Sequence, residues 1–217
     1  MNLFELSPLN LVHLIEFFNP EPAMPRITHL KASNHRRMPW KNGGGETVEI
    51  AVFPENAALG AFDWRVSMAT VASDGPFSIF EGIDRTLSIL TGNGISLAIG
   101  GRDPVLLTKS SEPLAFPADV PVAAALADGT ITDLNVMTRR AGLKHSVLQL
   151  AVDGDWTGTA NAGTVLLVCR DGSLVCEYGG ENAALENDDA VLAAVERPSP
   201  LVLRGRATCY LIHIWQA

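Results

Sequence analysis

Downstream of Met24 the chain alternates apolar and polar residues in short runs, with little helical periodicity. Residues 47–53, 64–71, 86–90, 95–99 and 105–107 are alternating or β-branched, the pattern of strands. Turn signals separate them: Asp74-Gly75-Pro76, Thr91-Gly92-Asn93-Gly94 and Gly100-Gly101. Short strands at this spacing predict an all-β sandwich or barrel.

The pattern occurs twice. Residues 86–101 read as a strand, a tight glycine turn, a second strand and a Gly-Gly pair, and residues 165–180 repeat that order. Each copy leads through an apolar stretch to a closing strand, at 132–137 and 208–214. Two copies of one β-unit predict two tandem double-stranded barrels. Arg139-Arg140-Ala141-Gly142-Leu143-Lys144 interrupts the pattern. The expected units are therefore an extension over 1–23, a first barrel over 24–140 and a second over 141–217.

Residues 1–23 carry Leu9, Leu11, Val12, Leu14, Ile15, Phe17 and Phe18 but no Lys or Arg. A short amphipathic helix is expected over 9–18, ended by Asn19-Pro20-Glu21-Pro22. The segment lacks the basic start and small-residue cleavage site of a secretory signal. Pro8, His13 and Glu16 interrupt any membrane span.

Charge narrows the choice of partners. The 217 residues include 16 basic and 24 acidic side chains, a net charge of −8. That balance argues against a nucleic-acid groove and against an anionic membrane surface. Residues 171–196 hold seven acidic groups and no basic one, so the basic groups beside glycine turns fall in the first copy. Cys169, Cys176 and Cys209 lie in apolar runs without a CxxC spacing. Buried, reduced thiols in a cytoplasmic protein are expected.

The candidate chemistry begins at Trp40-Lys41-Asn42-Gly43-Gly44-Gly45, which runs straight into a strand. Successive backbone N–H groups in such a turn can bind an anion, and Thr47 and Glu49 project together beside it. A plain bulge or loop explains the glycines equally well. The run is neither GxGxxG nor a P-loop. In Trp64-Arg65-Val66-Ser67-Met68-Ala69, alternation puts Arg65 and Ser67 on one face and Val66 and Met68 on the other. An inward arginine needs a partner or a ligand, whereas the reverse orientation leaves it solvated. Arg85, in Gly82-Ile83-Asp84-Arg85, is either a local salt bridge or a fork for a carboxylate. Asp133, Asn135, Met137 and Arg139 share one strand face, although a double arginine at a strand end is more often surface. The histidines 13, 29, 35, 145 and 213 form no HxH pair, so no metal site is expected. No GxSxG elbow is present either.

These residues resemble the HutD/Ves family. The resemblance rests on Pro39 to Gly45 with Thr47 and Glu49, on Trp64 to Ala69, on Asp74-Gly75-Pro76-Phe77-Ser78, on Gly82 to Arg85 with Leu87 and Leu90, on Phe116-Pro117, and on Asp133 to Arg140. It covers most of residues 24–140. It implies a bicupin, two cupin barrels in one chain, with a metal-free polar pocket in the first. It also implies a link to bacterial histidine utilisation, in which members moderate pathway expression rather than catalyse a step. The implied ligand is a small carboxylate: urocanate, or a formimino- or formyl-glutamate. The implied binding residues are Asn42, Gly43, Gly44, Thr47, Glu49, Arg65, Ser67, Arg85, Asn135 and Arg139. No cofactor is implied, and a homodimer is compatible with the chain. The alternative is a metal-independent cupin isomerase or hydrolase with Glu49 as general base.

Overall fold

The computed structural model describes residues 27–40 and 43–217. The predicted helix over 9–18 and Asn42 lie outside the described residues. Eleven strands precede residue 140: β1 (Ile27–Leu30), β2 (Arg36–Pro39), β3 (Gly45–Phe53), β4 (Trp64–Val71), β5 (Gly75–Pro76), β6 (Ile83–Thr91), β7 (Ile95–Ile99), β8 (Val105–Leu107), β9 (Leu114–Pro117), β10 (Val122–Leu126) and β11 (Ile131–Arg139). Five follow: β12 (Leu143–Ala160), β13 (Gly163–Tyr178), β14 (Glu181–Leu185), β15 (Ala190–Val195) and β16 (Ser199–Gln216). The all-β class expected from the alternation is the class the chain adopts. No helix among the described residues is long and apolar enough to cross a membrane.

The first half is a pair of facing sheets. One has the order β2-β3-β4-β11-β6-β9 and the other β5-β10-β7-β8. Leu87, Ile89, Leu97, Phe116 and Ile131 fill part of the space between them. The second half is one sheet, β1-β15-β13-β16-β12, with β14 also paired to β13. All three are open runs of strands rather than closed cylinders. β1 joins the second-half sheet, pairing Ile27 with Ala193, although it precedes the first half in sequence.

The repeated glycine turns are not hairpins. After β6 the chain crosses at Gly92 to Gly94 from one sheet to the other. In the second copy the same feature is a bend inside one long strand. β13 shifts register between Arg170 and Ser173, and Gly172 has φ +150°. A Cβ on Gly172 would lie 2.1 Å from the Arg206 carbonyl oxygen, so only glycine lets β13 approach β16 at the bend. The sheet thereby folds over itself. Val165 and Leu167, before the bend, share a core with Cys176, Tyr178 and Leu201 beyond it. The three cysteines are free and buried. Burial pushes Cys169 up to about 11, and Cys176 and Cys209 to about 12, which leaves them as unreactive thiols.

A third core joins the halves. Val48, Ile50, Val66, Met68, Leu134 and Val136 pack against Leu166, Val168, Tyr210, Ile212 and Ile214. His145 of β12 also bridges them, with Nε2 2.8 Å from Thr86 Oγ1 and Nδ1 2.7 Å from Thr138 Oγ1. This junction decides the orientation of the large sheet. Its apolar face is committed to the second half, so the alternate residues of β3, β4, β6 and β11 must point into the first half. Arg65, Ser67, Arg85 and Asp133 are buried for that reason.

Candidate functional site

The strand register lays out the inward polar residues as a grid. Arg65 on β4, Met137 on β11 and Arg85 on β6 form one row. Arg36, Glu49, Ser67 and Asn135 form the next. Met38, Thr47, Ala69 and Asp133 form the third. Same-face residues repeat about every 6.7 Å along a strand, and strands lie about 4.8 Å apart. The result is a polar floor with arginines at one end and a carboxyl group at the other. It lies beneath a cavity of about 940 Å³, near the upper end of the range for small-molecule sites.

The glycine run is the hairpin loop between β2 and β3. Trp40 N–H donates to the Gly45 carbonyl at 2.9 Å, and Gly43 N–H donates to the Trp40 carbonyl at 3.0 Å. The Gly43 N–H is thus used within the turn, and Gly43 has φ +71°. Gly45 is required by a close approach: a Cβ there would meet the Thr70 carbonyl oxygen at 2.1 Å and the Trp40 ring at 3.0 Å. The loop carries Trp40 to the cavity wall, where its Nε1 donates to Thr47 Oγ1 at 2.8 Å.

The two inward arginines differ in their partners. Arg65 Nε donates to Glu49 Oε2 at 2.7 Å; Arg65 is buried and Glu49 is largely covered. A bulge in β3 between Glu49 and Ala51 accompanies this diagonal contact. Arg36 reaches Glu49 only at 4.0 Å from the exposed rim. Arg85 is 6% exposed, and its Nε is buried without a hydrogen-bond partner. Its guanidinium makes no ion pair among the described residues. Three rings surround it instead: Phe77, Phe80 and Phe116, with centroids 5.3, 5.4 and 5.9 Å away. Burial lowers its pKa to about 10, countered by Asp133 and reinforced by Arg65. Cation–π contacts recover part of the cost of such a buried charge, but not its hydrogen bonds.

Asp133 is 1% exposed and lines the same cavity. It has no ion-pair partner among the described residues. Asn135 Nδ2 donates to its Oδ1. Burial raises its pKa to about 7, against the pull of Arg85, the Asn135 hydrogen bond and the Ala69 backbone. The site therefore holds a buried guanidinium with no ion-pair contact among the described residues and a buried carboxyl group whose pKa burial raises.

Of the residues singled out in the sequence, Thr47, Glu49, Arg65, Ser67, Arg85 and Asn135 all line this cavity. Gly43 and Gly44 lie in the hairpin loop outside the lining. Gly44 accepts a hydrogen bond from Ala72 N–H at 3.0 Å. Arg139 also lies outside the lining. It donates to the Phe62 carbonyl at 2.7 Å and sits 3.6 Å from Asp63, so it anchors the loop whose Phe62 walls the cavity. Sequence reasoning placed Asp133 on one strand face with Asn135, Met137 and Arg139 without giving it a role. Its signal was an acidic residue in phase with Asn135 and flanked by core positions. The aromatic cage left no such signal, because Phe116 of β9 joins Phe77 and Phe80, which precede β6, only in the folded chain. Among the described residues, no group of three or more His, Cys, Asp or Glu side chains is placed to hold a metal ion.

Known proteins share this arrangement of strands. A cupin 2 conserved barrel domain protein from Leptotrichia buccalis superposes with a TM-score of 0.52 at 12% identity, covering 78% of this chain and 88% of that one. At that identity the likeness concerns the fold alone, and it makes the chain cupin-like. HutD from Pseudomonas fluorescens SBW25, in a structure described as a formate condition, superposes with a TM-score of 0.76 at 30% identity, covering 88% of this chain and 100% of that one. Protein Ves of Citrobacter koseri is 38% identical over 137 residues, 61% of this chain and 69% of that protein. An uncharacterized 21.2 kDa protein in the hutC 3′ region of Pseudomonas putida is 34% identical over 157 residues, 72% of this chain and 80% of that protein. The HutD family itself matches residues 32–211. That span takes in every strand that floors the cavity and most of the second half, and the chain belongs to the HutD family.

Proposed function

We propose that this protein binds a small carboxylate in the first-half cavity and, through that binding, moderates expression of histidine utilisation in the cytoplasm. The observation that carries the binding is Arg85, a buried guanidinium with no ion pair and an unpaired Nε among the described residues, at the wall of a ligand-sized cavity. A carboxylate matches a guanidinium fork in charge and geometry. Arg65 is less available, because Glu49 already holds it. The link to histidine utilisation is supported by the family and by the relative named for the hutC region. It makes urocanate and the formimino- and formyl-glutamates the first ligands to try. We read the two halves as two cupin barrels, of which only the first is a binding unit. The second-half interior holds an apolar cavity of about 10 Å³, room for about one water.

Calorimetric titration with urocanate and formylglutamate tests the reading. A saturable one-site heat in the wild type, lost in Arg85→Met, is expected. No heat with either compound overturns it.

One observation favours a second reading, that of a metal-independent enzyme. Asp133 is a buried carboxyl group with a raised pKa in the same cavity, a property common among general acids. It suits that role better than Glu49, which is committed to Arg65. Incubation with each compound and mass spectrometry of the products decides: a new product that disappears in Asp133→Asn establishes turnover, and unchanged starting material rules it out.

A further inference from the structure

Arg85 and Asp133 stand two rows apart on the grid, about 13 Å along the strands, and they make no ion pair with each other among the described residues. Between them Ser67 and Asn135 present a hydroxyl and an amide to the same cavity. The other charged groups lining it are Arg36, Glu49, Arg65 and Asp74. Glu49 and Arg65 neutralise each other at 2.7 Å. Arg36 is exposed at the rim, and Asp74 accepts the Leu126 N–H at 2.8 Å in an exposed position. Arg85 and Asp133 remain, one basic and one acidic, on rows at opposite ends of one polar floor; each feels the other's charge, but neither has an ion-pair contact among the described residues.

A ligand carrying only a carboxylate would satisfy Arg85 and leave Asp133 as it is. A ligand with a second carboxylate at the far end would meet Asp133 with like charge. A nitrogen base bearing an N–H would turn Asp133 into a charge-assisted acceptor. We infer that the cavity selects bipolar small molecules, with a carboxylate on Arg85 and an N–H-bearing nitrogen base on Asp133. Asn135 holds the Asp133 carboxyl in place through Oδ1. This rests on the carboxylate-binding reading above and adds the identity of the far end. It also accounts for a buried acid with no ion-pair partner, because the partner arrives with the ligand. Burial alone holds Asp133 near neutral pH, and a cationic nitrogen beside it would favour its ionised form.

The test compares two probes of one shape, trans-urocanate and trans-cinnamate, which share the acrylate and differ in imidazole against phenyl. Calorimetry at pH 7 on the full chain gives the ratio of their affinities. The ratio is expected to be about tenfold or more in favour of urocanate in the wild type. In Asp133→Asn, shown to be folded by its thermal melt, it is expected to fall below about threefold. A purely structural role for Asp133 would weaken both probes together and leave the ratio unchanged. NMR titration of bound urocanate supplies a second readout. The imidazolium should persist to higher pH in the wild type than in Asp133→Asn. Equal affinities in the wild type, or a ratio that Asp133→Asn leaves alone, overturn the inference while the carboxylate reading stands. If neither probe binds, both fall.

Discussion

Replacing Arg85 with methionine should make the ligand-free protein more stable and unable to bind a carboxylate. Arg85 is 6% exposed and makes no ion pair among the described residues. Its pKa is lowered from the ordinary arginine value to about 10, chiefly by burial. At about 1.4 kcal/mol per pKa unit, the folded state holds this charge at a cost of about 3 kcal/mol. The sign is that of a base with a depressed pKa: the cost is present at neutral pH and is relieved only as pH rises through 10. Methionine removes the charge and fills similar space among the three phenylalanines. It gives up cation–π contacts worth about 1–2 kcal/mol. The net expectation is a gain of about 1–2 kcal/mol, within the range seen when buried charges become apolar. For a chain of this size that raises Tm by roughly 2–8 °C. Ligand should reverse the order. A carboxylate at about 100 times its Kd stabilises the wild type by about 2.7 kcal/mol and leaves Arg85→Met unmoved. Calorimetric melts with and without ligand measure both effects. A variant less stable than wild type by more than about 1 kcal/mol, or one whose Tm climbs with carboxylate as the wild type does, would refute the reasoning.

Three further outcomes are expected. Glu49→Gln leaves Arg65 buried without its countercharge and should cost about 3 kcal/mol or more in urea denaturation. Adding Arg65→Met should recover most of that loss, and strict additivity of the two changes would contradict the pairing. Gly45→Ala must push β3 from β4 and should cost about 2 kcal/mol or more. Gly43→Ala, with open space around it, should cost only about 1 kcal/mol for its φ; equal losses would refute the close-approach account. Burial lowers the His145 pKa from 6.5 to about 4, against the pull of Asp84. As pH falls from 6.5 towards 4 the unfolded chain takes up a proton that the folded chain refuses, so stability is lost over that window. The shift corresponds to at most about 3 kcal/mol, and nearer 2 after allowing for the solvent that reaches this half-buried ring. His145→Gln should flatten the acid limb of a Tm–pH profile, and an unchanged profile would remove His145 from the account.

The strands of the first half were legible because each carries a period-two pattern and a glycine or proline boundary. The orientation of Arg65 was not. Alternation puts Arg65 and Ser67 opposite Val66 and Met68, but it does not say which face meets water. The second half decides it by covering Val66 and Met68, a tertiary contact made by residues a hundred positions away. The repeat was visible in the sequence as a strand, a tight glycine turn and a second strand, but the two turns serve different ends. A strand crossing between sheets and a strand bent at Gly172 share the local sequence of a turn, and only pairing partners tell them apart. The triple glycine borders the cavity without lining it: Gly45 serves the approach of β3 to β4, and the loop positions Trp40. Asp133 stayed without a role because a carboxyl group in a strand gains chemical meaning only when its surroundings are known to be buried.

The central claim is that Arg85 awaits a carboxylate inside the first-half cavity. The most direct measurement is a crystal structure of the full chain grown with the tightest-binding carboxylate found by titration. The account predicts carboxylate oxygens within about 3 Å of the Arg85 guanidinium, between the Phe77, Phe80 and Phe116 rings. A ligand bound elsewhere, with Arg85 satisfied by protein and water alone, would contradict it.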